Sequence, residues 1–541
     1  MIAVAVMISL GLLAPLPCAA VVYVDRDAPG PTHDGGSWAT AYVTVQEGIN
    51  AAAPGGEVWV AAGRYVENVI MKHGVAVYGG FTGTETLQVQ RDYDANPTTI
   101  DANGSGRAVV GANNARLDGF TVTGGRASYG AGIYCYQTSP VIANCTIEGN
   151  VASSFGGGFY ISYYSSTQVT NCRILRNRAR DGGGAAVYIH STPLFDRCTV
   201  SGNRGNWGAG LLFSDNTNPT VTNCEITDNV GDSACYGGGI HLLHNTGIVR
   251  GNLIARNSTP LQGGGVYGYD TDALIEGNTI LENTAGLGGG GVSMRCSHPQ
   301  LRNNLIARNR APSGAGIEAS EGGNITLIHN TIADNTAGSR GGGIYLVQSS
   351  SVLSTNCIVA SNSADEGSGV YASAGCSLGS SYNCFFDNAL YGVSITGNGS
   401  IFEDPKFRAS SQAEYHLAPT SPCIDAGTSA DGATSDIDGN PRPVDGDRDG
   451  SAVPDIGCHE YGAGPLTTWL IAQAKALPDG TAVRIVNKPV NAVFDGFYYL
   501  RDSAPPCGIR IYGTPSATPC TDVLGLLGTL HGERLVSPAL Q

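Results

Sequence analysis

The chain has 541 residues, 77 of them glycine, with 42% hydrophobic and only 14% charged residues and a net charge of −15. That length exceeds one ordinary domain, the hydrophobic content excludes a disordered chain, and the glycine excess suits short strands and tight turns better than helix bundles. The acidic balance excludes electrostatic capture of nucleic acid or anionic membrane, which needs a basic face, and points to cations as counter-charges.

Residues 1–20, MIAVAVMISLGLLAPLPCAA, are an apolar stretch ending in small residues. This is the pattern of a secretory signal cleaved after Ala20, although the basic leading region is missing. The protein is therefore expected outside the cell or at its surface, where disulfides are permitted. No later stretch has the ~18 consecutive apolar residues of a membrane span. Between Thr44 and Ala52, the apolar residues Val45, Ile49 and Ala52 are spaced for one helical face.

A repeat then governs the middle of the chain. NCTIEGN ends at Asn150, NCRILRN at Asn177, RCTVSGN at Asn203 and NCEITDN at Asn229, and the series runs on through Asn257, Asn283, Asn309, Asn335, Asn362 and Asn388. The asparagines are 26 to 28 residues apart, and about eight residues after each comes a glycine cluster followed by an apolar residue, as in GGGF at Phe159 and GGGV at Val266. Strand-like units at this period mean a solenoid, since no single repeat can bury its own apolar face. The leucine-asparagine consensus of leucine-rich repeats is absent. A parallel β-helix of about ten coils, stacked about 4.8 Å apart, fits best.

Equivalent residues should then stack in ladders. The asparagines should bond from coil to coil at a turn where Asn tolerates left-handed backbone. A second column takes Cys145, Cys172, Cys198, Cys224, Cys357 and Cys384, alternating with Asn252, Asn278, Asn304 and Asn330. Parallel stacked side chains suit disulfide geometry poorly, so these are expected as buried free thiols. Asp228, Arg256, Glu282, Arg308 and Asp334, each just before a ladder asparagine, should form an exposed stack of alternating charge.

The paired signatures GG[GA][ILV] and [FIV]xxN, over roughly 118–388, resemble the repeats of chlamydial polymorphic outer-membrane proteins and bacterial right-handed β-helix proteins. VYVDRDAPGPTHDGGSWATAYVTVQEGINAA and GGEVWVAAGRYVE resemble the entry region of pectate-lyase-like β-helices, which implies that the Thr44–Ala52 helix caps the open end. SPCIDAG (421–427), DIDGNPRPVDGDRDG (436–450) and DIGCHEYGA (455–463) resemble the choice-of-anchor Q module of exported proteins. The strand-like tail after Pro465 resembles small OB-type barrels. The expected fold class is thus all-β: a right-handed parallel β-helix with an N-terminal helical cap and a small C-terminal OB-like β-barrel. The plan is signal peptide 1–20, cap and first coils 21–117, repeats 118–405, acidic module 406–464 and OB-like domain 465–541, in a protein expected to be monomeric.

Proteins resembling the acidic module usually carry small residues at positions 423 and 458, so the resemblance implies a Cys423–Cys458 disulfide. Two isolated thiols, or pairing with Cys376 or the tail cysteines, are the alternatives. Cys507 and Cys520, each beside a proline-rich turn, are a second candidate pair. In the same module Asp445, Asp447 and Asp449 followed by Gly450 match the first half of a calcium loop, with Asp436, Asp438 and Asp455 as further ligand candidates. Asp455 falls one position early for an EF-hand, and a solvated acidic turn is the alternative.

The pectate-lyase-like resemblance implies a search for chemistry on acidic polysaccharides. A lyase needs a base, commonly Lys or Arg, at the sugar C5 proton. No lysine occurs between residues 73 and 405, which leaves Arg176, Arg178, Arg180, Arg256 and Arg308. The Asp-Asp pair and Gly-His-Gly turn of polygalacturonase-like hydrolases and the Asp-Pro-His motif of uronate epimerases are absent. Binding has more to build on. The position after the inward residue of each glycine cluster should face outward, and it reads Tyr134, Tyr160, Ala186, Leu212, His241, Tyr267, Ser293, Glu318, Tyr345 and Tyr371, with Tyr188 close by. Tyr134, Tyr160, Tyr188, Tyr267, Tyr345 and Tyr371 are candidates for stacking on sugar rings, or for packing on one another. Two functions remain: a non-catalytic surface protein for adhesion or polysaccharide binding, and an extracellular polysaccharide lyase or hydrolase.

Overall fold

A computed structural model describes residues 21–462, apart from 396–398, 409–414, 430–431 and 448, together with the backbone of six strands between 466 and 538. The expected signal peptide and the side chains of Cys507 and Cys520 lie outside the described residues.

Each coil passes through three parallel sheets, and most add a short arm. In one coil Val141–Ala143 lies in sheet A, Thr146–Glu148 in sheet B, Val151–Phe155 in the arm and Phe159–Ser162 in sheet C. Among the described residues sheet A has fourteen strands and sheets B and C thirteen each, stacked coil on coil as a parallel solenoid. Ten strands of sheet B are those marked by the asparagine signature. The other three, Gly63–Val66, Thr98–Asp101 and Phe120–Thr123, precede it and carry no signature.

The interior is filled by aliphatic columns. Ile147, Ile174, Val200 and Ile226 stack along sheet B with no exposure, and Phe159, Phe195 and Phe213 meet edge to face between sheets C and A. Each such side chain contributes about 1.5–3 kcal/mol by leaving water.

The asparagine ladder follows the expected register. Asn257 Oδ1 accepts the backbone N–H and the amide of Asn229, and its own Nδ2 donates to Ile226 O and to Asn283 Oδ1. The same pattern joins Asn150 to Asn362 without a break. The left-handed residue, however, is the one before each asparagine: Arg176, Asp228, Arg256, Glu282, Arg308 and Asp334 have φ between 51° and 58°. That corner residue points to solvent, which frees the asparagine side chain to turn inward and satisfy the corner's buried backbone.

The second column also forms, at the corner between sheets A and B. Its thiols do more than fill space. Cys224 Sγ accepts from Cys198 N (3.3 Å) and faces Phe195 O of the preceding coil (3.5 Å), so it occupies the place that Asn278 takes between Asn252 N and Val249 O. Cys145, Cys172, Cys198, Cys224 and Cys357 are free and buried, and burial pushes the thiols of Cys172, Cys224 and Cys357 up. Cys384 does not belong to this column. Asn383 holds the ladder position, accepting from Cys357 N, and Cys384 faces out of sheet B beneath the following segment.

Helix α1, Val45–Ala51, starts with a capping box in which Thr44 and Glu47 exchange hydrogen bonds. It buries Val45, Gly48 and Ile49 against the first strands of sheet A, and Gly48 approaches so closely that a Cβ there would lie 2.4 Å from Val24.

The segment 406–462 folds back on the outer face of sheet B. Tyr415 and Cys458 pack on Leu305, Ala307 and Ala333, while Cys423 and Ile424 pack on Ile358 and Cys384. Polar contacts fix the docking: Tyr415 Oη donates to Asp334, Cys458 N to Thr331 Oγ1 and Asn303 Nδ2 to Ser435 O. Arg442 and Glu460 form a fully buried ion pair, and Arg442 also bonds His329 of the solenoid. The strands beyond 465 form a separate, mainly antiparallel six-stranded sheet in which Ala482–Phe494 also pairs with Cys520–Leu530.

Candidate carbohydrate-binding face

The outward column of sheet C has the register expected from the sequence: Tyr134 pairs with Tyr160, Tyr160 with Ala186, and the series continues through His241, Tyr267, Ser293, Glu318 and Tyr345 to Tyr371. The arms alter its surroundings. Each arm ends in a residue followed by a glycine with positive φ, such as Gly130, Gly156, Gly208 and Gly237, and at that turn the arm folds over the column. A Cβ on Gly156 would lie 2.1 Å from Phe159 O, so the tight turn requires glycine.

Over the first coils the arm and column rings form one patch. Tyr134 and Tyr160 are stacked at 5.5 Å, Tyr160 meets Tyr129 at 5.6 Å and Tyr188 at 6.1 Å, and Tyr129 stacks on Phe155. Tyr136 packs beside Tyr163, Arg107 sits 3.7 Å above the Tyr134 ring, and Tyr164 is 69% exposed. Tyr134, Tyr160 and Tyr188 are half-buried and Tyr136 is 36% exposed, so this patch presents ring area to solvent.

Further along, the column goes under cover. Tyr267, expected as an accessible stacking residue, is 4% exposed, held between Tyr236 and His241, each with ring centroids at 4.9 Å. His241 is 2% exposed beneath Trp207, and burial lowers its pKa to about 4, so the ring is neutral. Tyr371 is likewise buried, stacked under Tyr391, and Tyr345 is half-buried beside it. Glu318 is buried, accepts from Gln262 and Ser293, and is held by burial above the usual carboxylate range. Tyr267 and Tyr371 therefore belong to packing. The exposed rings that column reading missed, Tyr129 and Trp207, stand just before the turn glycines, a position readable in the repeat.

The arginines considered for lyase chemistry do not converge. Arg176 pairs with Glu148, Arg178 with Asp232, Arg180 with Asp181, Arg256 with Asp228 and Arg308 with Glu282. The last two are the alternating stack read from sequence, half-exposed and worth about 0–1 kcal/mol per pair.

The six candidate calcium ligands do not form one site. Asp445 and Asp447 converge with Asp425, which sequence reading left out, their ligand atoms within 4.8 Å of one another. Asp449 caps Ser451 N, Asp436 accepts from Asn440 N and Glu460 N, and Asp455 accepts from Asp425 N and Tyr461 N. Asp438 instead lies with His416 and His459. The Cys423–Cys458 disulfide is not formed: both thiols are free and buried. Ile456 N bonds Cys423 O, which places Cys458 two residues farther along and sends the two side chains into separate apolar clusters.

A family model described as "Right handed beta helix region" matches residues 105–280 and 238–407, together more than half of the chain. The chain belongs to the right-handed β-helix family. Solved structures similar to this β-helix chain include pectate lyase Pel9A, at 13% identity over 82% of this chain and 96% of that one, with a TM-score of 0.41. The periplasmic alginate epimerase AlgG matches at 13% identity over 67% and 84% (TM-score 0.37), and the PL6 family alginate lyase AlyGC at 13% over 74% and 55% (TM-score 0.37). No curated protein matches the sequence. No helix among the described residues is long and apolar enough to cross a membrane.

Proposed function

We propose that this β-helix protein is exported and binds polysaccharide, without cleaving it, through the aromatic patch on its first coils. The observation that carries this reading is the continuous set of rings from Tyr129 through Tyr134, Tyr136, Tyr160 and Tyr163 to Tyr188, which crosses three coils, with Tyr136 and, next to Tyr163 in the chain, Tyr164 open to solvent. Flat ring area at low entropy cost suits stacking on sugar C–H faces. The net charge of −15 favours neutral over uronate chains. Helix α1 is assigned to capping the solenoid, and the segment 406–462 and the OB-like tail to attachment. Calcium is assigned to Asp425, Asp445 and Asp447, an all-oxygen donor set that suits a hard cation.

Against the lyase or hydrolase reading stand the burial of His241 and Glu318, the acid–base groups of the outward column, and the pairing of every candidate arginine. The test is affinity electrophoresis of the mature chain in gels carrying neutral β-linked polysaccharides, pectate or alginate, with unsaturated product followed in parallel. Retention in a neutral gel, reduced several-fold in the double variant Tyr136→Ala, Tyr164→Ala, is expected. No retention in any gel removes the binding function, and product formation replaces it with the enzyme.

A further inference from the structure

We propose that His416, Asp438 and His459 form a site for a zinc-class divalent cation inside the segment docked on sheet B. Three separate stretches deliver these side chains: the YHL run, the DIDGN turn and the GCHEY run. One ligand atom from each lies within 4.8 Å of the others. His416 Nε2 is 2.9 Å and His459 Nδ1 3.4 Å from the same oxygen, Asp438 Oδ2. Two ligands ~2.05 Å from a tetrahedral zinc ion are ~3.4 Å apart, close to the two histidine–aspartate distances. The two imidazoles stack with ring centroids 3.6 Å apart and must splay around Asp438 to take up an ion.

The second observation is on His459. The residue is 7% exposed, and its Nδ1, turned toward Asp438, makes no hydrogen bond of acceptable geometry. A buried ring nitrogen that faces a carboxylate only at ion-pair distance is incompletely satisfied, and an ion held between His459 and Asp438 would complete the coordination of both. Two imidazoles with one carboxylate suit zinc and its neighbours, whereas calcium wants six or more oxygens. The neighbouring acidic cluster of Asp425, Asp445 and Asp447 is a chemically different donor set.

The position gives the ion a structural role. Tyr415, next to His416, donates to Asp334, and Cys458, next to His459, donates to Thr331. An ion joining the two histidines would therefore clamp both contacts of the segment with the solenoid.

The experiment uses the full chain, stripped with chelator and titrated with Zn²⁺ alone by calorimetry. One zinc per chain is expected, with affinity lowered at least tenfold in Asp438→Asn and in His459→Gln and unchanged in Asp445→Asn. Zinc should also slow proteolysis of the 406–462 segment in the parent chain. Substitution of Co²⁺ into the parent chain covers the case of a variant that fails to fold: visible bands of a nitrogen–oxygen site without thiolate charge transfer are expected. No binding, binding unchanged in Asp438→Asn, or a thiolate charge-transfer band from interior cysteines would overturn the site.

Discussion

The rings of Tyr134 and Tyr160, on neighbouring coils, stack 5.5 Å apart and 13° from parallel. Tyr160 also touches Tyr129 and Tyr188, so it supports the patch as well as presenting it. Tyr160→Ala is expected to weaken polysaccharide retention roughly five- to tenfold, the equivalent of about 1–1.4 kcal/mol of lost stacking, and to lower stability as well. Tyr160→Phe should preserve both. Retention in affinity gels and urea midpoints measure the two effects.

Tyr267 behaves differently although it occupies the same column. Buried between Tyr236 and His241, it offers no ring area to a ligand. Tyr267→Ala should cost about 3 kcal/mol of stability through the cavity it leaves, with retention of the folded fraction unchanged. Weakened retention at full stability would reverse the assignment.

The ladders predict a ranking. Asn278→Ala leaves unpaired the backbone N–H of Asn252 and the carbonyl of Val249, both buried, and should cost about 2–5 kcal/mol. Asn278→Cys should cost clearly less, because at Cys224 a thiol already stands between the equivalent N–H of Cys198 and carbonyl of Phe195. Denaturant melts of the two variants decide it.

His241 makes stability depend on pH. Its ring is held to a pKa of about 4 by burial, against an ordinary 6.5, so between these values the unfolded chain takes up a proton that the folded chain refuses. Its contribution is full above pH 6.5 and is lost as pH falls toward 4, by roughly 3 kcal/mol in all. The difference in unfolding free energy between parent and His241→Gln, followed from pH 7 to 4, should shrink accordingly. A constant difference would count against the neutral buried ring.

With Cys423 and Cys458 in separate clusters, alkylation after unfolding without reductant should label both. Adding reductant should leave the unfolding temperature of the 406–462 segment unchanged. A mapped Cys423–Cys458 bond would show that the segment repacks on oxidation.

The solenoid was legible because a ladder requires the same residue in every coil: the spacing from Asn150 to Asn388 is the coil itself. Strand alternation likewise yielded the outward column from Tyr134 to Tyr371. Accessibility along that column was not legible, because it depends on the arm residue before each turn glycine, such as Trp207 over His241. Local reading also failed where partners are far apart in sequence. Asp425 reaches Asp445 across twenty positions, and Asp438 turns away from the acidic run to meet His416 and His459. The Cys384 position was misread by one residue because CFF mimics the preceding repeats while Asn383 keeps the ladder.

From amide to amide, each ladder asparagine donates to the coil that follows and accepts from the coil before, so every side chain in the row has the same orientation. A row of this kind has no defined length. If a 26-residue period were duplicated inside it, the new asparagine would receive its neighbour's hydrogen bonds and pass on identical ones, with every partner already in place. The solenoid would lengthen by about 4.8 Å per duplication, which makes coil number a property that gene duplication can change without redesigning any contact.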